Sequence, residues 1–193
     1  LSFLAGRGWR GRYLGVDSSA ALLALAAANA PRTAAIHAGF HRADLAALDD
    51  DLSGLIAVLG RGAWDAVTAL AVLHHIPGRP RRAALVAACA DLLRPGGVLV
   101  VSTWQFLTSA RLRARVLPWA LAGLRAEDVE PGDYLLPWGE GAAGQRYCAA
   151  IDEAALCQLA EAPATGLART AIFYADGHEG NLNLYGIFHK PSA

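Results

Sequence analysis

The chain contains no methionine, and its first residue is Leu1. A complete translation product ordinarily begins with Met, so the sequence reads as a fragment or a processed chain. Lysine is almost missing: Lys190 is the only one among 17 Lys plus Arg. With the abundance of alanine, that reads as coding bias and carries no functional weight. There is no net charge, because 17 acidic residues balance the 17 basic ones. A broad basic face for nucleic acid or a membrane surface is therefore not indicated, and no DNA partner is expected. Cysteine is scarce and unpaired in pattern. Cys89, Cys148 and Cys157 form no C-x-x-C motif, which argues against a disulfide framework and for a reducing cytoplasm. The longest uncharged apolar runs, residues 18–31 and 95–110, are too short for a membrane span. No signal peptide, repeat or low-complexity linker is recognisable.

What is present is a globular composition, with 54% hydrophobic and 18% charged residues over 193 positions. That suits a single domain with one sizeable core. Apolar runs alternate with helix-like stretches. Residues 12–17 (RYLGVD), 33–38, 64–70 (WDAVTAL) and 98–103 (VLVVST) read as buried strands. Residues 20–29 and 80–93 read as helices, the first capped by Ser18 or Ser19. Residues 94–97 (RPGG) read as a turn. Strands separated by helices imply right-handed crossovers and a parallel sheet. Beyond residue 104 the pattern changes. Residues 107–124 read as a helix interrupted at Pro118, and 125–145 as a long loop. The stretch from about 105 to 150 is expected to be a lid or substrate insertion. A helix over 152–160 and an antiparallel hairpin of strands 170–174 and 182–189 close the chain.

Several residues carry chemistry. Asp17 ends the first strand, where a doubly wound sheet places a ribose-binding carboxylate; the plainer role is capping the next helix. Asp44, past the second strand, can meet an adenine amino group or be a solvated loop acid. His74 and His75 invite a metal reading. Adjacent side chains point apart and no Cys, Asp or Glu stands nearby at ligand spacing, so no metal is expected there. The segment instead reads as a loop lining a cofactor pocket. The strings at residues 6–11 and 139–144 match G-x-G-x-x-G, but the first precedes a strand and the second has no strand–helix context. Neither Ser nor Cys sits in a nucleophile elbow, and Cys148 reads as a bland loop thiol.

Taken in order, GVD, AD, WDAVTALAVLHHIP, LLRPGG and VLVVSTW resemble the class I S-adenosylmethionine methyltransferases over residues 12–104. The resemblance implies an α/β, Rossmann-like sheet of order 3-2-1-4-5-7-6 with an antiparallel last strand. It implies S-adenosylmethionine as cofactor, with Asp17 and Ser18 at the ribose and Asp44 and Leu45 at the adenine. Ala69, Leu70 and His74 would flank the methyl group. The family's first strand and glycine-rich loop would precede Leu1. Their loss would leave a gap between strands 12–17 and 64–70, or force them together, and leave this chain inactive.

The last third adds WQF, GDYLLPW, Arg146-Tyr147, DEAAL and YADGHEGNLNLY. These resemble the branch of tRNA wobble-uridine carboxymethyl methyltransferases, which implies a tRNA-borne carboxylate acceptor and a small activating subunit. Here Cys148, Ala149 and Ala150 follow the Arg-Tyr pair, where that branch often carries aromatic residues and His. A carboxylate acceptor needs no general base but does need a cation, and Arg146 fits as a two-pronged clamp. Arg146 and Tyr147 are thus the expected catalytic pair, and Trp104, Trp138 and Arg146 the expected substrate contacts. A small-molecule acceptor fits the neutral charge better than tRNA. A non-catalytic nucleotide-binding or partner subunit is the alternative from another class.

Overall fold

A computed structural model describes residues 1–46, 52–139 and 144–192. The chain divides into two compact units, Leu1–Leu48 and Asp49–Ala193.

The first unit holds helix α1 (Ser2–Gly6), strand β1 (Gly11–Asp17), helix α2 (Ala20–Ala28) and strand β2 (Ile36–Arg42). The two strands pair in parallel from Gly11 opposite Ile36 to Asp17 opposite Arg42. Gly8, at φ +80, makes the turn out of α1, a conformation that costs glycine nothing. Ser19 is the helix cap: its side chain accepts a hydrogen bond from the Leu22 N–H at 3.2 Å. The second strand begins and ends later than the expected 33–38, because residues 34 and 35 form a turn.

The second unit begins, among the described residues, with helix α3 (Ser53–Leu59), followed by strand β3 (Trp64–Leu70), helix α4 (Arg79–Leu92) and strand β4 (Leu93–Trp104). Strand β3 has the expected bounds. Its parallel partner β4 carries an irregularity, since Trp64 faces Leu93 but Ala66 already faces Val98. The expected Arg-Pro-Gly-Gly turn is therefore a bulge inside one long strand. Gly97 permits it: a Cβ there would lie 3.1 Å from the Trp64 carbonyl oxygen.

Past β4 come helix α5 (Ala110–Arg113), strands β5 (Asp133–Trp138) and β6 (Gly144–Ala149), helix α6 (Glu153–Ala160), and strands β7 (Ala168–Ala175) and β8 (Asn183–His189). The larger sheet runs β3-β4-β8-β7, with β8 antiparallel to both neighbours, so the expected closing hairpin is present in a mixed sheet. Its core is Leu73, Leu93, Leu99, Leu156, Leu184 and Phe188, all fully buried.

Two expectations fail between these elements. The helix expected over 107–124 is only α5 and a 3-10 turn at Trp119–Ala122, because Pro118 is extended at ψ 141. The loop expected over 125–145 contains β5, which pairs with β6 as an antiparallel hairpin from Asp133 opposite Ala149 to Trp138 opposite Gly144. Cys148 is consequently a buried strand residue and not a loop thiol. The glycine string at 139–144 lies largely outside the described residues.

Candidate functional site

In the first unit, parallel pairing brings the ends of β1 and β2 to one edge, where Asp17 and Arg42 are register partners. Asp17 Oδ1 accepts the Ser19 N–H at 2.7 Å, so this oxygen does help start α2. No described residue engages Oδ2. Ser18 is exposed, and its carbonyl accepts from the Arg42 Nε–H at 3.0 Å. Asp44 folds back on its own loop, taking the Ala46 N–H at 3.0 Å, beside half-buried Leu45.

In the second unit, the end of β3 is bent sharply. Ala71 stands at φ +55, outside the region favoured by residues with a Cβ. Its N–H is held by the Ser102 hydroxyl oxygen at 3.0 Å, which fixes the bend against β4. Ala69 is buried before the bend, while Leu70 is half exposed. The chain then makes a 3-10 turn, Leu73–His75, that lays the two imidazoles side by side with centroids 4.3 Å apart.

Each imidazole is oriented by a backbone group. His74 Nδ1 accepts the Trp104 N–H at 3.2 Å, so this nitrogen carries no proton. His75 Nδ1 lies 3.0 Å from the Tyr147 carbonyl oxygen, which can only accept, so here Nδ1 carries the proton and Nε2 the lone pair. Nε2 has no hydrogen-bond partner among the described residues. Burial, then the neighbouring His75 and Arg146, hold the His74 pKa down to about 3. Burial also lowers that of His75, against the opposing pull of the Tyr147 carbonyl. Both rings are neutral at physiological pH.

Strand β6 supplies the rest of the site. The Arg146 guanidinium lies between two indoles, 4.6 Å from the Trp104 ring centre and 4.7 Å from that of Trp138. Its Nε is buried without a hydrogen-bond partner, and no carboxylate among the described residues pairs with it. Burial accordingly lowers its pKa. A cation held by π faces alone keeps its N–H edge for a ligand.

Tyr147, expected to be catalytic, is committed elsewhere. Its hydroxyl donates to Asp133 Oδ1 and accepts from Arg82 at 2.7 Å. Burial and that carboxylate raise its pKa, which favours the neutral phenol. Arg82 also donates to the Ile76 carbonyl at 3.0 Å and to Glu130 at 2.9 Å. The network ties helix α4, the His75 turn and the β5–β6 hairpin together. Sequence reasoning missed Arg82, Glu130 and Asp133, which stand up to 65 residues from Tyr147. The motifs around Asp133 and Tyr147 were visible; their pairing was not.

The argument that adjacent histidines must diverge is also overturned. The turn places them together, and β6 brings Cys148 so that one donor atom from each lies within 4.8 Å of the others. A metal ion here would compete with the Trp104 amide for His74. It would also have to deprotonate a Cys148 thiol that burial pushes up to about 12. The donors converge, and the Nδ1 of His74 is already engaged by the Trp104 amide.

Trp104, Phe106 and Tyr134 form an aromatic wall, with centroids 5.4 and 5.5 Å apart, backed by buried Leu112, Leu136 and Cys148. Trp138 is 59% exposed, so one side of the Arg146 sandwich is open to solvent.

Comparison with known proteins bears on this arrangement. Residues 1–99 match a family profile described as a methyltransferase domain. A ubiquinone biosynthesis O-methyltransferase of Xanthomonas axonopodis is 34% identical over a stretch covering 40% of this chain and 41% of that protein. The chain thus spans less than half the length of the curated relatives it matches. Among solved structures, a SAM-dependent methyltransferase from Methanosarcina mazei superposes over 100% of this chain and 87% of its own, with a TM-score of 0.70 at 19% identity. The N-methyltransferase NodS of Bradyrhizobium japonicum, solved with S-adenosyl-L-homocysteine, covers 94% of this chain and 78% of its own, with a TM-score of 0.56 at 14% identity.

Proposed function

The chain belongs to the methyltransferase-domain family, and from that premise we propose that the full-length gene product binds S-adenosylmethionine and delivers the methyl group to an oxygen of a small anionic acceptor. One observation carries the donor half. Asp17 stands at the C-terminal end of a parallel strand with one carboxylate oxygen bound to the Ser19 N–H and the other unengaged among the described residues. A vicinal ribose diol is the natural partner of such a carboxylate at that edge. Ser18 lies beside it, and Asp44 and Leu45 take the adenine.

The acceptor half rests on Arg146. Its guanidinium meets no carboxylate among the described residues and is partly desolvated, so an anionic group on the acceptor completes it. Oxygen as the methyl-accepting atom is supported by the O-methyltransferase name of the curated relative. Methyl transfer from a sulfonium is an in-line displacement, and the protein's work is positioning and exclusion of water. Trp104 and Trp138 fix the guanidinium, and the Tyr147–Arg82–Asp133 network fixes the strand that carries it. A carboxymethyl group borne by tRNA would present the same anion. Binding that falls steeply with salt would identify that source, because the nucleic-acid backbone releases counterions.

Calorimetry with S-adenosylhomocysteine tests the donor half. The full-length gene product is expected to bind it, and Asp17→Ala within it to weaken binding about tenfold or more. Absence of any binding by the unsubstituted protein would instead favour a non-catalytic partner subunit.

A further inference from the structure

The anion grip and the His75 turn, considered together, define the acceptor more narrowly. A carboxylate that is itself methylated needs a cation but no base, since it is already ionised. A hydroxyl needs a base. This site holds both: the Arg146 guanidinium between its two indoles, and a His75 imidazole whose tautomer is fixed by the Tyr147 carbonyl. Arg146 and Tyr147 are consecutive on β6, so the same strand carries the grip and orients the base.

Building on the methyltransferase reading above, we infer that the acceptor is a hydroxy acid: Arg146 grips its carboxylate as a handle, and His75 Nε2 takes the proton of the hydroxyl that is methylated. The product is a methyl ether and not a methyl ester. As the acceptor's O–H bond breaks, its proton goes to the Nε2 lone pair. The oxygen forms a bond to the methyl carbon, and the S–CH3 bond breaks with its electron pair passing to sulfur. The sulfonium becomes a neutral thioether and His75 becomes an imidazolium.

The surroundings of His75 suit the role. His74 stands beside it on the turn; Arg146 and the Cys148 thiol face it from β6; and β4 contributes the uncharged Trp104 indole beside His74. None of these groups is a carboxylate that would hold His75 protonated. Its Nδ1–H is spent on a backbone carbonyl, the arrangement that commits the lone pair to the opposite nitrogen. His74 lacks this freedom, because its Nδ1 lone pair holds the Trp104 amide.

The test uses the chain itself and needs no turnover. Salicylate, 3-hydroxybenzoate and 4-hydroxybenzoate are titrated against benzoate, with quenching of tryptophan fluorescence as the readout. At least one isomer is expected to bind about tenfold more tightly than benzoate. His75→Asn keeps a donor for the Tyr147 carbonyl but lacks the Nε2 acceptor, and should bring that preference to within about twofold. Arg146→Gln should weaken hydroxybenzoate and benzoate alike, about tenfold. In the unsubstituted chain, the 15N resonance of His75 Nε2 should move with the preferred hydroxybenzoate and stay put with benzoate, which covers a variant that fails to fold. Equal affinity for all four acids, a preference that survives His75→Asn, or an unmoved Nε2 resonance would overturn the inference. Calorimetry with S-adenosylhomocysteine is separate. Its failure removes the methyltransferase reading, whereas hydroxy-acid binding without it would leave the two-point site standing.

Discussion

Arg82 and Arg146 sit within the same unit, and both contact the neighbourhood of Tyr147, yet their surroundings are opposite. Arg82 is enclosed by the Ile76 carbonyl, the Tyr147 hydroxyl, Glu130 and Asp133, and its side chain is only 9% exposed. Arg146 has two indole faces and no oxygen partner among the described residues. A guanidinium that donates to a carbonyl, a hydroxyl and a carboxylate of its own fold is a structural rivet. One that is desolvated on its faces with an unfilled edge is prepared for a ligand, because binding an anion recovers hydrogen bonds that folding gave up. Residue type alone does not separate these cases.

Three substitutions would break or sharpen that contrast. Arg82→Ala should have the largest effect, destabilising the protein by about 3–5 kcal/mol because it leaves Glu130 and Asp133 without their cation. Urea unfolding would show it, and a loss under about 1 kcal/mol would mean that Arg82 is no rivet.

The second concerns acid stability. His74 titrates near 3 when folded and near 6.5 when unfolded, so between those values the unfolded chain binds the extra proton. Stability is then fully present above pH 6.5 and falls by up to about 1.4 kcal/mol per pH unit as pH drops towards 3. His74→Asn retains an acceptor for the Trp104 amide and should flatten that slope, as judged by urea midpoints from pH 7 to pH 4. An unchanged slope would locate the acid sensitivity in another group.

Arg146→Gln should be the mildest for folding, at about 1 kcal/mol or less, since only exposed-edge cation–π contacts are lost. The same variant should lose anion affinity, so stability and binding separate here where they would not at Arg82. A strongly destabilised Arg146→Gln would erase the distinction.

The expectations that held were those set by neighbours in sequence. The bounds of β3, the Ser19 cap and the closing hairpin all follow from local pattern. The failures were long-range. Strand β5 reads as loop because Pro131 and Gly132 precede it and Pro137 lies inside it, and only pairing with β6 makes it a strand. Trp104, Trp138 and Arg146 were named as substrate contacts from their motifs, but nothing in the spacing says that one would lie between the other two. Tyr147 was named for the same reason, and its hydroxyl turned out to be occupied. His75 was passed over in favour of His74, because the sequence does not reveal which ring nitrogen has a backbone partner.

By itself, then, the sequence determined the alternation of strands and helices, the capped turn that follows Asp17, and the cationic and aromatic pair Arg146-Tyr147. Those follow from periodicity, capping chemistry and composition, all of which act within a few residues. The tertiary structure alone decided which arginine is tied to oxygens of the fold and which has none among the described residues, which histidine nitrogen is left without a described partner, and that Cys148 belongs beside them. Those outcomes depend on hydrogen bonds and ring contacts between groups up to 72 residues apart, and such partners are chosen by packing and not by spacing.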